Sequence, residues 1–407
     1  MRMASLFTRA MGSARVAPRA SLDPKRAVRS SMVRYDALVL GLGVMGAASL
    51  AELARRGLRV LGLERFDVPN ARGSSHGATR VIRKAYFEDP AYVPMLERAW
   101  ARWEALSLRT GEALLRRTGA LHFGPCDHVC IEGVRRSARE HSLAIEELDA
   151  VEITRRFPAL RPDTSDVGIV ERDGGFLLAE RCVSALLETA LADGATAHAR
   201  ERAIAVEIGD GGVRVVTERG AYETERLVLA CGAWSEGDAS PVPIPIPLRV
   251  ERQVQLWFAP RDPALVSPSR MPVFVRFGAE CFYGIPHAAV PGVKVCRHHG
   301  GSAARAESLD RALRPEDEET VRRFVQAHMP VADGPLLAAR VCMYTNTTDE
   351  HFVIGPHPEH PSRVALACGF SGHGFKLAPV VGEIVADTVT GRAGPPAIFR
   401  PDRFRTG

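Results

Sequence analysis

The chain has 407 residues, 46% of them hydrophobic and 25% charged, enough to build one large or two interleaved globular domains. No apolar run approaches the roughly 18 residues that a membrane-spanning helix needs. The formal charge of +5 gathers in an N-terminal tail, so the remainder is near neutral and offers nucleic acid no positive face.

Residues 1–31 hold seven Arg or Lys and a single acid, Asp23; taking these from the 53 basic and 48 acidic residues leaves 46 against 47. The tail is rich in Arg, Ser and Ala, which fits a mitochondrial-type transit peptide. The competing reading is an upstream start, with Met32 the first residue, because Met32 stands three residues before the first strand. Under either reading residues 1–34 are set apart as an extension. The protein is expected in the cytoplasm, or in the mitochondrion if that extension is a transit peptide. The last residues, Arg405-Thr-Gly407, are not a peroxisomal address.

The folded body opens with Tyr35-Asp-Ala-Leu-Val-Leu-Gly41, read as a buried parallel strand. Gly41-Leu-Gly43-Val-Met-Gly46 follows, then a helix from Ala47 to Arg56 closed by Gly57, then a second strand, Arg59 to Glu64. Strand, glycine turn, helix and a distal acid together form a dinucleotide-binding unit. Gly41 permits the tight turn, Gly43 lets the backbone approach a pyrophosphate, and Gly46 lets the helix pack close. The helix N-terminus offers free amides to phosphates, and Glu64 is placed to accept from a ribose. Downstream, Ala203–Ile208 and Val213–Thr217 flank Gly209-Asp-Gly-Gly212 as a hairpin, and Arg226 to Cys231 resumes a buried strand. A sheet interrupted by such an excursion is common in proteins with a split FAD domain.

Pro241-Val-Pro-Ile-Pro-Ile-Pro247 reads as an extended crossover and Pro260 to Pro272 as a loop. Alternation around Gln253–Phe258 and Val273–Phe277 predicts antiparallel strands. In the last quarter, Val364 to Gly369 reads as a strand and Val380 to Asp387 as a helix. Between them Gly369-Phe-Ser-Gly372-His-Gly374-Phe-Lys376 brings backbone amides that could reach a flavin ring edge. The eight cysteines include no Cys-x-x-Cys pair, which predicts free thiols and no metal site.

Taken together, these segments resemble the monomeric sarcosine oxidase family, which includes N-methyltryptophan oxidase and pipecolate oxidase. The resemblance runs from about residue 35 to 403. It rests on the glycine motif, Ser74-Ser-His-Gly-Ala-Thr-Arg80-Val-Ile-Arg83, Tyr283-Gly-Ile-Pro, Lys294-Val-Cys-Arg-His298, Cys342-Met-Tyr-Thr, Asp349-Glu-His-Phe and Gly372-His-Gly-Phe-Lys376. It implies an FAD-dependent oxidase of small secondary amino acids, a monomer that uses dioxygen and yields an imine and hydrogen peroxide. By the same resemblance Cys342 forms a thioether to the flavin, a bond that suits a thiolate. Arg83 and Lys376 bind the substrate carboxylate, as a guanidinium fork beside a second cation can. Arg80 and Lys294 lie close to the flavin, Lys294 assisting the reaction with oxygen. Tyr283 and His298 line the pocket, and His76 stands beside the flavin.

Three positions depart from the family pattern: Ser75 precedes His76 where two histidines are frequent, Ala78 replaces an Asp, and Phe282 replaces a tyrosine. These leave the substrate open among sarcosine, N-methyl-L-tryptophan and L-pipecolate. A same-fold dehydrogenase and a flavoprotein without turnover are the rivals. The expected architecture is α/β: a discontinuous Rossmann-like FAD domain (35–115, 168–245, 337–403) and an antiparallel-sheet substrate domain (116–167, 246–336).

Overall fold

The computed structural model describes residues 34–404. The basic extension lies outside them except for Arg34, which begins the first strand one residue earlier than expected. Arg34–Leu40 is buried along its last four residues, as suits a strand covered on both faces. It pairs in parallel with Val60–Leu63 on one side and with Ala221–Leu229 on the other. Thr196–His198 and Val364–Cys368 extend this parallel run at either end. The hairpin Ala203–Gly209 and Gly212–Thr217 joins it antiparallel, and Val353–Pro356 returns beside Val364–Cys368. The result is an eight-stranded sheet.

Helix Val44–Arg55 packs against both Ala179–Ala192 and Ala378–Thr390. Its small residues permit this: Ala47, Ala48 and Ala54 are buried in the same core as Val381 and Val385.

A second eight-stranded sheet runs in the order Leu336–Asn346, Arg249–Phe258, Val293–His298, Cys281–Ile285, Val273–Arg276, Ala120–Pro125, Asp166–Glu171, Ile145–Asp149. It is antiparallel except where Val273–Arg276 meets Ala120–Pro125 in parallel. Two strands straddle the expected boundaries. Residues 337–346 are expected with the FAD segments, and the strand Leu336–Asn346 pairs along its length with Arg249–Phe258. Residues 168–171 are expected there too, and the strand Asp166–Glu171 pairs with Ala120–Pro125 and Ile145–Asp149. Both alternate buried and half-buried residues over part of their length, and that pattern states a strand without stating its neighbour. A third, three-stranded sheet of Thr79–Ile82, Gly175–Leu178 and Leu115–Arg117 was not anticipated. Among the described residues no helix is long and apolar enough to cross a membrane, and all eight cysteines are free.

Candidate active site

The glycine turn is built as its spacing requires. Gly41 has φ +88°, and a Cβ there would stand 2.5 Å from the Ala230 carbonyl oxygen. At Gly46 a Cβ would stand 1.7 Å from the Gly41 carbonyl oxygen, so no other residue lets the helix rest on the turn. Gly46→Ala is therefore expected to displace the loop, and bound flavin per chain after gel filtration should fall severalfold. Glu64 secures the same turn, accepting from Leu42 N at 2.9 Å and Phe66 N at 3.0 Å. Burial raises its pKa against those hydrogen bonds.

From this turn a cavity of about 560 Å³ runs between the two large sheets. Of the predicted site residues, Gly41, Gly43, Glu64, Arg80, Tyr283, Cys342, Gly372 and Gly374 form its wall. Gly46, His76, Arg83, Lys294, His298 and Lys376 are not on that wall. Strand register explains how the second sheet faces the cavity. Gln253 stands opposite Cys342, Trp257 opposite Lys294, Tyr283 opposite Cys296, and Glu251 opposite Tyr344. Residues two apart on a strand share a face, so Cys342, Tyr344, Gln253, Gln255 and Lys294 belong to one side.

Lys294 is 1% exposed. Its ammonium donates to the carbonyls of Gly77 (2.9 Å) and Thr79 (3.0 Å) and lies 5.1 Å from the Trp257 ring centroid. Burial, then Arg80, lowers its pKa to about 7. Arg80 itself donates to the Thr79, Ser74 and His76 carbonyls and stands 5.6 Å from the Phe375 ring centroid. Beside these cations His76 is kept neutral: burial, then Arg80, drives its pKa to about 3, and neither ring nitrogen has a hydrogen-bond partner. Gln255 Oε1 and Thr79 Oγ1 are also buried without partners. Of these, Gln255 lines the cavity, and an orphaned polar atom on a roomy wall marks a place for a polar ligand, which fits a cofactor seated there.

The two predicted carboxylate binders meet at one ring. Arg83 lies 4.2 Å and Lys376 5.0 Å from the Tyr86 centroid. Lys376 donates to Tyr86 Oη at 3.2 Å and to the His373 carbonyl at 2.7 Å. Burial, then Arg83, lowers its pKa to about 7. Arg83 stacks on Phe87 at 4.3 Å and reaches both oxygens of Glu88 at 2.9 and 2.8 Å. Burial would raise the Glu88 pKa, but Arg83, His373 and Lys376 together hold it below the usual carboxylate range. Tyr86 Oη and His373 Nδ1 lie 2.6 Å apart. At the other side His298 Nδ1 meets Tyr344 Oη at 3.1 Å, and its ring stands edge-on to Tyr283. Burial, then His299, drives the His298 pKa well below its ordinary value.

Glu88, Tyr86, His373, Tyr344 and Gln255 were not singled out from sequence. The only local signal for Glu88 is its place five residues after Arg83; the rest become visible only when distant strands meet.

A family model described as "FAD dependent oxidoreductase" matches residues 36–388. The monomeric sarcosine oxidase of Streptomyces avermitilis is 41% identical over 377 residues, spanning 91% of this chain and 98% of that protein. The N-methyl-L-tryptophan oxidase of Salmonella enteritidis is 33% identical over 378 residues, spanning 91% and 100%. Among solved structures, NikD, an unusual amino acid oxidase essential for nikkomycin biosynthesis, superimposes with a TM-score of 0.79 at 25% identity, covering 90% of this chain and 96% of that one. With its glycine turn, its cavity between two sheets and its sequence kinship over nearly the whole length, the chain belongs to the FAD-dependent oxidoreductases, in the family of monomeric sarcosine oxidase and N-methyl-L-tryptophan oxidase, and is a flavin-dependent amine oxidase.

Proposed function

We propose that this protein oxidises a small secondary amino acid of the sarcosine type, with FAD joined to Cys342 and dioxygen as the electron acceptor. The observation that carries the reading is the convergence of Arg83 and Lys376 on Tyr86. Arg83 is paired with Glu88, whereas Lys376 donates only to Tyr86 Oη and the His373 carbonyl and has no ion pair among the described residues. A buried charge without a partner is costly, and a substrate carboxylate would give Lys376 the anion it lacks, beside the guanidinium that Glu88 holds in place. Bound FAD would supply a two-electron acceptor for the hydride on the carbon beside the substrate nitrogen, with reoxidation by dioxygen giving hydrogen peroxide.

The protein's own part is to hold and orient. Arg83 and Lys376 fix the carboxylate end, and the cations around the site favour the neutral amine whose lone pair assists departure of the hydride. Tyr283, His298 and Tyr344 bound the other end, and the resulting imine is hydrolysed by water. His298, held neutral by burial, adds no positive charge beside the amine. In this reading the parallel sheet belongs to the FAD domain and the second sheet to the substrate domain, with a monomer working in the cytoplasm.

Arg83→Ala tests the clamp. KM for sarcosine is expected to rise about 10- to 100-fold, the loss of one charged hydrogen-bonding partner, with the flavin spectrum unchanged. An unaltered KM would sink the assignment. Steady-state assays with sarcosine, N-methyl-L-tryptophan and L-pipecolate, reading peroxide, rank the substrates.

A further inference from the structure

Glu171 closes the strand Asp166–Glu171 and is 3% exposed. Its Oε2 accepts from two successive backbone amides, Lys84 N and Ala85 N, each at 2.9 Å. Its Oε1 is buried and has no partner. Two residues on, Asp173 takes the Lys84 ammonium at 2.7 Å. The end of this strand and the turn after it thus grip Lys84–Ala85 by both main chain and side chain.

What they grip is the base of the substrate end of the site. Residues 83–85 leave the strand Thr79–Ile82, and amides that leave a sheet need another acceptor; Glu171 is that acceptor. Arg83 precedes the gripped amides and donates back to the Ala85 carbonyl at 3.1 Å. Tyr86 and Glu88 follow within three residues, and these are the ring and the carboxylate against which Arg83 is set. The buried carboxylate is costly to keep here, since burial lifts its pKa to about 7 despite the two amides, Arg83 and Lys84.

We infer that Glu171 is a positioning residue: its carboxylate fixes the turn that aims Arg83, and so sets affinity for the substrate's carboxylate without touching the substrate. This rests on Arg83 as the carboxylate-binding group.

The test uses the flavin-loaded full chain and acetate as probe, its binding read from the change in flavin absorbance, beside sarcosine turnover. For Glu171→Gln the acetate Kd and the sarcosine KM are expected to rise together about 3- to 10-fold, because a neutral acceptor makes roughly half as strong a bond to an amide. For Glu171→Leu the rise should be larger, with kcat within about twofold in both, since no group at the reacting atoms is changed. Unchanged Kd and KM in Glu171→Gln, or a fall in kcat and flavin content without a change in acetate affinity, overturns the inference. Should Glu171→Leu fail to fold, Glu171→Gln decides alone. Arg83→Ala measured in parallel separates the two ideas. If it too leaves acetate binding intact, the carboxylate clamp itself is wrong. If it weakens acetate binding while Glu171→Gln does not, only the positioning role falls.

Discussion

Exchanging Lys294 for methionine is expected to slow the reaction of the reduced enzyme with dioxygen by about 100- to 1,000-fold, the scale set by removing one preorganised charge-stabilising group. Reduction by the amine should stay within a fewfold of the original rate. Methionine preserves length and bulk, so the change isolates the charge. Lys294 spends hydrogen bonds on Gly77 and Thr79, which hold the ammonium still in a site from which water is largely shut out. A fixed cation there would stabilise the negative charge that dioxygen acquires with its first electron. His76 cannot take over the role, because its pKa near 3 leaves it uncharged at neutral pH. With the Lys294 pKa near 7, the cation is complete at lower pH and is lost as pH rises through 7. The oxidative half-reaction should therefore decline over that interval in the unaltered enzyme and stay flat in the variant. Stopped-flow measurement of each half-reaction checks both statements; equal slowing of the two would refute the oxygen role.

Cys342→Ser is expected to leave the flavin extractable by acid precipitation and the activity nearly lost. Cys342 lies on the cavity wall, 2% exposed, and among the described residues its sulfur's hydrogen-bond partners are the Met343 and Ser74 carbonyls at 3.7 and 4.0 Å. No strong partner competes for it. A serine oxygen is a poorer nucleophile and forms no thioether. The proposed thioether would raise the flavin potential, and each ~30 mV lost would shift a two-electron equilibrium about tenfold toward the amine. The measurement is absorbance of pellet and supernatant after precipitation. Yellow colour that stays with the Cys342→Ser pellet would show that the link is made elsewhere.

The readable parts of this chain are those in which one residue type answers a purely local demand. Gly41 and Gly46 announce themselves because the turn admits no side chain at either place, and the strands and helix around them follow from apolar runs of the right length. What stayed hidden depended on partners distant in sequence. From sequence, residues 337–346 go with the cofactor segments, and only the fold shows that the strand carrying Cys342 pairs with Arg249–Phe258. The resemblance implies Arg83 and Lys376, but only the fold shows that they meet at one ring: Tyr86, which receives Lys376, stands 290 positions from it. Glu88 and Glu171 look like ordinary surface acids until burial is known. Gln255 carries no motif at all, and its significance is that its oxygen lacks a partner.

The Cys342 strand has one further consequence. The cavity begins at the glycine turn of one sheet and ends on a strand of the other, so whatever fills it is held at both ends by pieces of chain that share no backbone hydrogen-bond ladder. A cofactor seated there would work as a rivet as well as a reagent. Gly41 and Gly43, where Arg34–Leu40 stops, would hold one end and Cys342 on Leu336–Asn346 the other, so the two sheets would be tied through it.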